Sequence, residues 1–172
     1  MIRFRTLTKN DNDYYELYSK AYSWDKNNTC FFKKETPELL DLFSQHFALY
    51  EDNEFIGYGI HNYHKDITPN IKMLLSFLTH PENMTIENTS IIEPHKISLA
   101  YIINPKYRNL GYGKILVEYL INKAQEKTDY DLIEVVILKT NLSSISLIEK
   151  LDFEFKSFDE EEIVFQKQIK KN

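Results

Sequence analysis

Apolar and polar residues alternate in "IRFRTL" (2–7), which predicts an opening strand. In the next stretch, "TKNDNDYYELYSKAYSW", capping-type residues precede Tyr14, Leu17, Tyr18 and Ala21, which recur at helical spacing. A second helix is predicted over "TPELLDLFSQHF", with Pro37 in its first turn, where a missing N–H costs nothing. Two strands follow, Phe47 to Tyr50 and Phe55 to His64, joined by the polar turn "EDNE". Residues 65–95 lose the pattern. "NIKMLLSFLTH" has the makings of a short helix, but Pro69, Pro81 and Pro94 interrupt its surroundings, so the stretch reads as an inserted loop.

Order returns with a strand over Lys96–Ile103 and a helix from Tyr112 to about Gln125. Ile115, Leu116, Tyr119, Leu120 and Ala124 line one face of that helix. "LIEVVILK" (132–139) is a nearly unbroken apolar run, the mark of a strand buried on both faces. A short helix from Ser143 to about Lys150 follows, and "FEFKSF" with "EIVFQKQI" forms a closing hairpin around "DEE". The order β-α-α-β-β-insert-β-α-β-α-β-β predicts a mixed α/β fold, with parallel pairing in the second half, antiparallel pairing elsewhere, and helices packed on the sheet.

Composition narrows this picture. The chain of 172 residues is 42% hydrophobic and 14% aromatic, enough to fill one core, so a single domain over 1–172 is expected. A formal net charge of −5 speaks against a nucleic-acid backbone as partner. Cys30 is the only cysteine, which excludes an internal disulfide and suits a reducing, cytoplasmic setting. The N-terminus has no apolar signal-like stretch, and no apolar run reaches the roughly 18 residues of a membrane span.

The candidate chemistry lies in "NPKYRNLGYGKILVEYLINKA" (104–124). The chain has four glycines, and two of them, Gly111 and Gly113, stand here between a strand and a helix. A helix start offers unpaired N–H groups and positive potential, and glycines let an anion approach them. Arg108 and Lys114 bracket the turn with positive charge. A dinucleotide fingerprint would need Gly or Ala where Leu116 stands, and a Walker loop would need Ser or Thr where Ile115 stands.

"IINPKYRNLGYGKILVEYLINKA" resembles motif A of the GCN5-related N-acetyltransferase (GNAT) superfamily: strand, Pro, Arg, two residues, Gly, one residue, Gly, amphipathic helix. "VVILKTNLSSISLIEKLDFEF" is similar to the segment that follows it, a buried strand and then an Asn opening a helix. The two stretches span about Lys96 to Phe158. The resemblance implies the GNAT fold, a central, twisted, mostly antiparallel sheet of six to seven strands with helices on both faces. It also implies acetyl transfer from acetyl-coenzyme A to a primary amine by direct attack on the thioester, with no metal. The acceptor would be an amine-bearing small molecule or a protein amine. Homodimers are common in the family, though no residue here marks one.

By the same resemblance, backbone N–H groups of Arg108, Asn109, Leu110, Gly111, Tyr112, Gly113 and Lys114 would hold the diphosphate. The pantetheine arm would lie between the strands Lys96–Ile103 and Leu132–Lys139, which would splay apart at their ends. It would pair with Ile102 and Ile103, one N–H there facing the thioester oxygen. Asn141 would bond the same arm, or serve as an ordinary helix cap, and Ser144 would line the wall. The helix position where many members carry a tyrosine acid holds Ile148, and Asp152 stands where Gly is usual. The strand position of the family's glutamate base holds Ile97. His95 and Glu93, just before that strand, are therefore the base candidates, with His61 and His64 nearby and His95 preferred because it leads into the strand. A coenzyme-binding module without turnover is the alternative reading. The acidic run at 159–162 reads as a solvated turn.

Overall fold

A single seven-stranded sheet, in the order β1-β2-β3-β4-β5-β7-β6, carries the helices on its two faces. This is a computed structural model, and it describes residues 1–25, 44–64 and 95–170. The strands are β1 (Ile2–Leu7), β2 (Ser44–Glu51), β3 (Glu54–His64), β4 (Lys96–Ile103), β5 (Leu132–Leu138), β6 (Glu154–Phe158) and β7 (Glu162–Gln168). Among the described residues the helices are α1 (Tyr14–Trp24), α2 (Tyr112–Gln125) and α3 (Leu142–Glu149). Every neighbouring strand pair is antiparallel except β4–β5. The crossover that this parallel pair needs is α2.

Alternation along the strands sorts the core into two layers. Phe47 and Leu49 of β2 and Ile97, Leu99 and Ile103 of β4 pack with Leu116, Val117 and Leu120 of α2 and Ile148 of α3. The residues between them, Ala48, Tyr50, Ala100 and Ile102, pack on the other face with Tyr14, Leu17, Tyr18 and Ala21 of α1. The amphipathic periods of α1 and α2 are thus each satisfied by one face of the same strands.

Glycine brings α2 onto the sheet. A Cβ on Gly59 of β3 would stand 2.8 Å from Leu120 Cδ1, and one on Gly57 would stand 3.2 Å from Leu116 Cδ2. The first distance is shorter than carbon atoms tolerate and the second is tight, so α2 sits close because β3 has no side chains there.

The predicted helix over 36–47 is corrected at its end. Ser44 to Phe47 belong to β2, and the remainder of that prediction lies outside the described residues. Five consecutive residues, His46 to Tyr50, are buried, because β2 is covered on both faces. Such a strand lacks the apolar–polar alternation that would have marked it. Its polar member is accommodated by bonding: His46 Nδ1 lies 3.0 Å from Tyr58 Oη and its Nε2 lies 2.9 Å from Ser44 Oγ. The inserted stretch up to residue 94 likewise falls outside the described residues. No helix among those described is long and apolar enough to cross a membrane.

Candidate functional site

The one parallel pair in the sheet is short. β4 and β5 are in register at Lys96–Leu132, Ile97–Ile133 and Ser98–Glu134, and there their pairing stops. β4 continues to Ile103 bound to β3 on its other side, and β5 continues to Leu138 bound to β7. From Leu99 onward the β4 edge facing β5 has no strand partner. The result is a split in the middle of the sheet, with its floor at Ser98 and Glu134. Unpaired strand edges present rows of N–H and C=O groups, which an extended ligand can complete as an added strand.

At the open end of the split, β4 leads into a 3-10 turn, Pro105–Tyr107, and then into α2. Asn104 organises the turn. Its Oδ1 accepts from Lys106 N at 3.1 Å and its carbonyl from Tyr107 N at 2.8 Å. Two left-handed residues, Asn109 (φ 63°) and Gly111 (φ 89°), then swing the chain into the helix. Gly111 occupies the cap position, where a side chain would be strained and where none is present to cap the helix. The first helical bond runs from Ile115 N to Gly111 O at 3.3 Å, so the N–H groups of Tyr112, Gly113 and Lys114 have no partner within the helix. Nothing lies within 4 Å of the position a Gly111 Cβ would take. At Gly113 a Cβ would meet Leu147 Cδ2 at 3.5 Å, an ordinary contact. Unpaired donors, the positive end of the α2 dipole and an uncrowded approach together make an anion site.

The two cations that bracket the turn differ in role. Arg108 Nε donates to Ile103 O and its Nη2 to Trp24 O, both at 3.1 Å. Its guanidinium thus ties the end of β4 to the carboxyl end of α1, where a cation suits the helix dipole. Lys114 is exposed, 3.7 Å from Glu118 on the helix surface, and free to swing towards an anion. Tyr112 turns its side chain away: its hydroxyl donates to Glu51 Oε2, a bond that raises the phenol pKa.

The sequence matches the model of the acetyltransferase (GNAT) family over residues 11–153. The chain belongs to this family. No curated protein sequence matches it. Among solved structures it is similar to the ribosomal-protein-S18-alanine N-acetyltransferase of Escherichia coli (14% identity, TM-score 0.62, covering 100% of this chain and 96% of that one). It is also similar to a Bacillus subtilis acetyltransferase in complex with CoA (13%, 0.66, 98% and 99%). A third likeness is to the Campylobacter jejuni N-acetyltransferase PseH in complex with acetyl coenzyme A (15%, 0.59, 98% and 99%). At these identities the likenesses establish the fold. The seven-stranded, mostly antiparallel sheet with helices on both faces is the GNAT architecture.

The remaining GNAT-motif residues fall into two groups. Asn141 caps α3, its Oδ1 accepting from Ser144 N at 3.3 Å and from Ser143 Oγ at 3.0 Å. It stands just past the end of β5, so cap and split wall coincide, and Asn141 Nδ2 has no partner among the described residues. Ile148, at the position of the family's tyrosine, is fully buried in the layer beneath α2, where it presents no acidic proton to the split.

The base candidates lie apart from the turn. His95 precedes β4 at the closed end, with Nδ1 3.2 Å from the Asp129 carbonyl and its backbone N–H bonded to Asp131 Oδ2. An extended strand advances about 3.3 Å per residue, so the length of β4 separates His95 from the glycine turn by roughly 25 Å. Glu93 lies outside the described residues. His61 is fully buried between β3 and α2, and burial pushes its pKa down to about 3, leaving it neutral. One ionisable group on the walls of the split had not been singled out from the sequence. Glu134, at the floor, is the only charged residue within "LIEVVIL", and that interruption was its signal.

Proposed function

We propose that this chain is an acetyl-CoA-dependent N-acetyltransferase acting on a primary amine, built as one domain over 1–172. The observation that carries the reading is the junction at the open end of the split. An uncapped helix start behind a left-handed glycine adjoins a strand edge left open by the early end of β4–β5 pairing. Acetyl-CoA needs both: an anion site for its diphosphate and an extended polar edge for its pantetheine amides. The residues present fit that ligand.

In this reading the N–H groups from Asn109 to Lys114 hold the diphosphate, with Lys114 adding a mobile charge. Arg108 contributes its main chain and keeps the turn in place. The β4 edge at Ile102 and Ile103 bonds the pantetheine arm, Asn141 bonds it from the β5 side, and Ser144 lines the same wall. The amine nitrogen attacks the thioester carbon, a C–N bond forms as the C–S bond breaks, and the thiolate takes up a proton. A preorganised N–H aimed at the carbonyl oxygen lowers the barrier most, since it faces the charge that develops. An alkyl ammonium with a pKa of about 10.4 must first lose a proton, and His95 or Glu93 is assigned that step.

The burial of Ile148 favours a second reading, a coenzyme-binding module without turnover. One set of measurements separates the two. Calorimetric titration with CoA tests the shared site: wild type binds, and Gly111→Glu, which sets a carboxylate against the helix start, binds at least tenfold more weakly. Equal affinity in a folded Gly111→Glu protein would remove both readings. Thiol release from acetyl-CoA with a panel of polyamines, amino acids and lysyl peptides then decides between enzyme and module.

A further inference from the structure

Glu134 is a carboxylate on a strand whose other residues are apolar, and it is only 8% exposed. Burying a carboxylate is costly unless its oxygens are engaged. Here both are. Lys96 Nζ stands 2.8 Å from Oε1, and Gln166 Nε2 donates to Oε2 at 2.9 Å. The three residues come from three adjacent strands, β4, β5 and β7. They meet at the level of Ser98–Glu134, the last register pair before the split opens. A largely buried ion pair of this kind adds little stability over an apolar residue of the same shape, and fixing strand register is the best-attested use of one.

We propose that the Lys96–Glu134–Gln166 tie sets the depth of the split and thereby the longest acyl group a bound thioester can carry. The proposal rests on the acetyl-CoA reading above. With the diphosphate at the turn and Ile102 and Ile103 on the pantetheine amides, the thioester lies deeper in the split than the resemblance implied. Its acyl end points towards the floor, where the tie reinforces the backbone pairing of β4 and β5. Glu134 is a positioning residue: it limits where the strands part and takes no role in bond making. Removing it frees the volume of its side chain and breaks the side-chain link from β4 across β5 to β7 while their backbone pairing stays. The floor loosens and longer acyl chains gain room.

Binding of acetyl-, propionyl- and butyryl-CoA to the full chain, measured by calorimetry, tests this without knowledge of the acceptor. Wild type prefers acetyl over butyryl. In Glu134→Ala that preference falls by about tenfold or more, the scale on which a pocket discriminates methylene groups. Glu134→Gln, which keeps the volume and can bond both partners once the Gln166 amide turns over, retains the wild-type preference. Gln166→Ala loosens the tie from one side and shifts the preference in the same direction, by less. Loss of packing alone would weaken all three donors equally and leave their ratios unchanged. Unchanged ratios in a folded Glu134→Ala protein, or in Gln166→Ala if the first does not fold, would overturn the proposal. So would a wild type indifferent to acyl length, or a Glu134→Gln protein as permissive as Glu134→Ala. Wild type that binds none of the thioesters would remove the acetyl-CoA reading itself, a result distinct from altered selectivity.

Discussion

His61 shows how one side chain can couple burial to pH. Its ring is enclosed by β3 and α2, beside Phe47 with ring centroids 4.9 Å apart, and neither nitrogen has a hydrogen-bond partner among the described residues. Desolvation by burial lowers its pKa from 6.5 to about 3. The unfolded chain therefore takes up a proton on this residue between about pH 6.5 and 3, and the folded chain does not. The contribution is complete above pH 6.5 and is lost as pH falls through that window. At pH 5 the loss is about 2 kcal/mol, from about 1.4 kcal/mol per unit of difference. Chemical denaturation at pH 7 and pH 5 should show this drop in wild type, and His61→Leu should abolish most of it. The same burial removes His61 from contention as a base. A histidine in sequence shows its chemistry but not its depth, so the sequence favoured His95 for its place before the strand without showing that His61 is enclosed.

At the scale of elements, α2 rests on two glycines of β3, and the contact can be tested by exchanging volume. Leu120 is fully buried, and Leu120→Ala should cost about 2–5 kcal/mol. Gly59→Ala places a methyl group 2.8 Å from Leu120 Cδ1 and should cost about 1–3 kcal/mol. The double variant should be more stable than the sum of the two, because the smaller side chain at 120 makes space for the added methyl. Equilibrium unfolding of all four proteins reads the coupling. This element was also the most legible in the sequence. Its limits, Tyr112 and Gln125, follow from a glycine turn and an apolar stripe of period 3.6. β2 was legible only in part, since a strand buried on both faces carries no alternation. The splaying of β4 and β5 was implied by the family resemblance alone, because no local pattern tells a strand pair joined at three positions from one joined throughout. That two consecutive strands with an intervening helix pair in parallel was readable; the place where the pairing ends coincides with cross-strand contacts of Glu134 to residues far apart in the chain. The motif likewise named Arg108 without disclosing that its side chain is engaged by Trp24 and Ile103.

Across the whole molecule, the proposed donor site stands at the boundary between the two core layers. The turn opens α2 on one face, while α1 closes the other, and Arg108 joins them through the Trp24 carbonyl. Arg108→Ala should leave the unpaired N–H groups of α2 in the chain but loosen the turn that presents them. Both bonds lost, to Ile103 and Trp24, are within the protein, so donor affinity should fall only indirectly, by about three- to tenfold, the net scale of one ordinary hydrogen bond. Isothermal titration and a melting curve on the same preparation separate the loss of affinity from the loosening of the turn.

Trp24 is the only tryptophan in the chain, and its ring lies against Phe55 with centroids 4.8 Å apart. Excited on the red edge, where the twelve tyrosines absorb little, its indole is therefore a built-in optical probe for any ligand that disturbs the turn. Titrating coenzyme A while watching that emission should yield a saturable signal in unlabelled protein. The same titration on Arg108→Ala should come out nearly silent, because the wire between ligand and fluorophore has been cut.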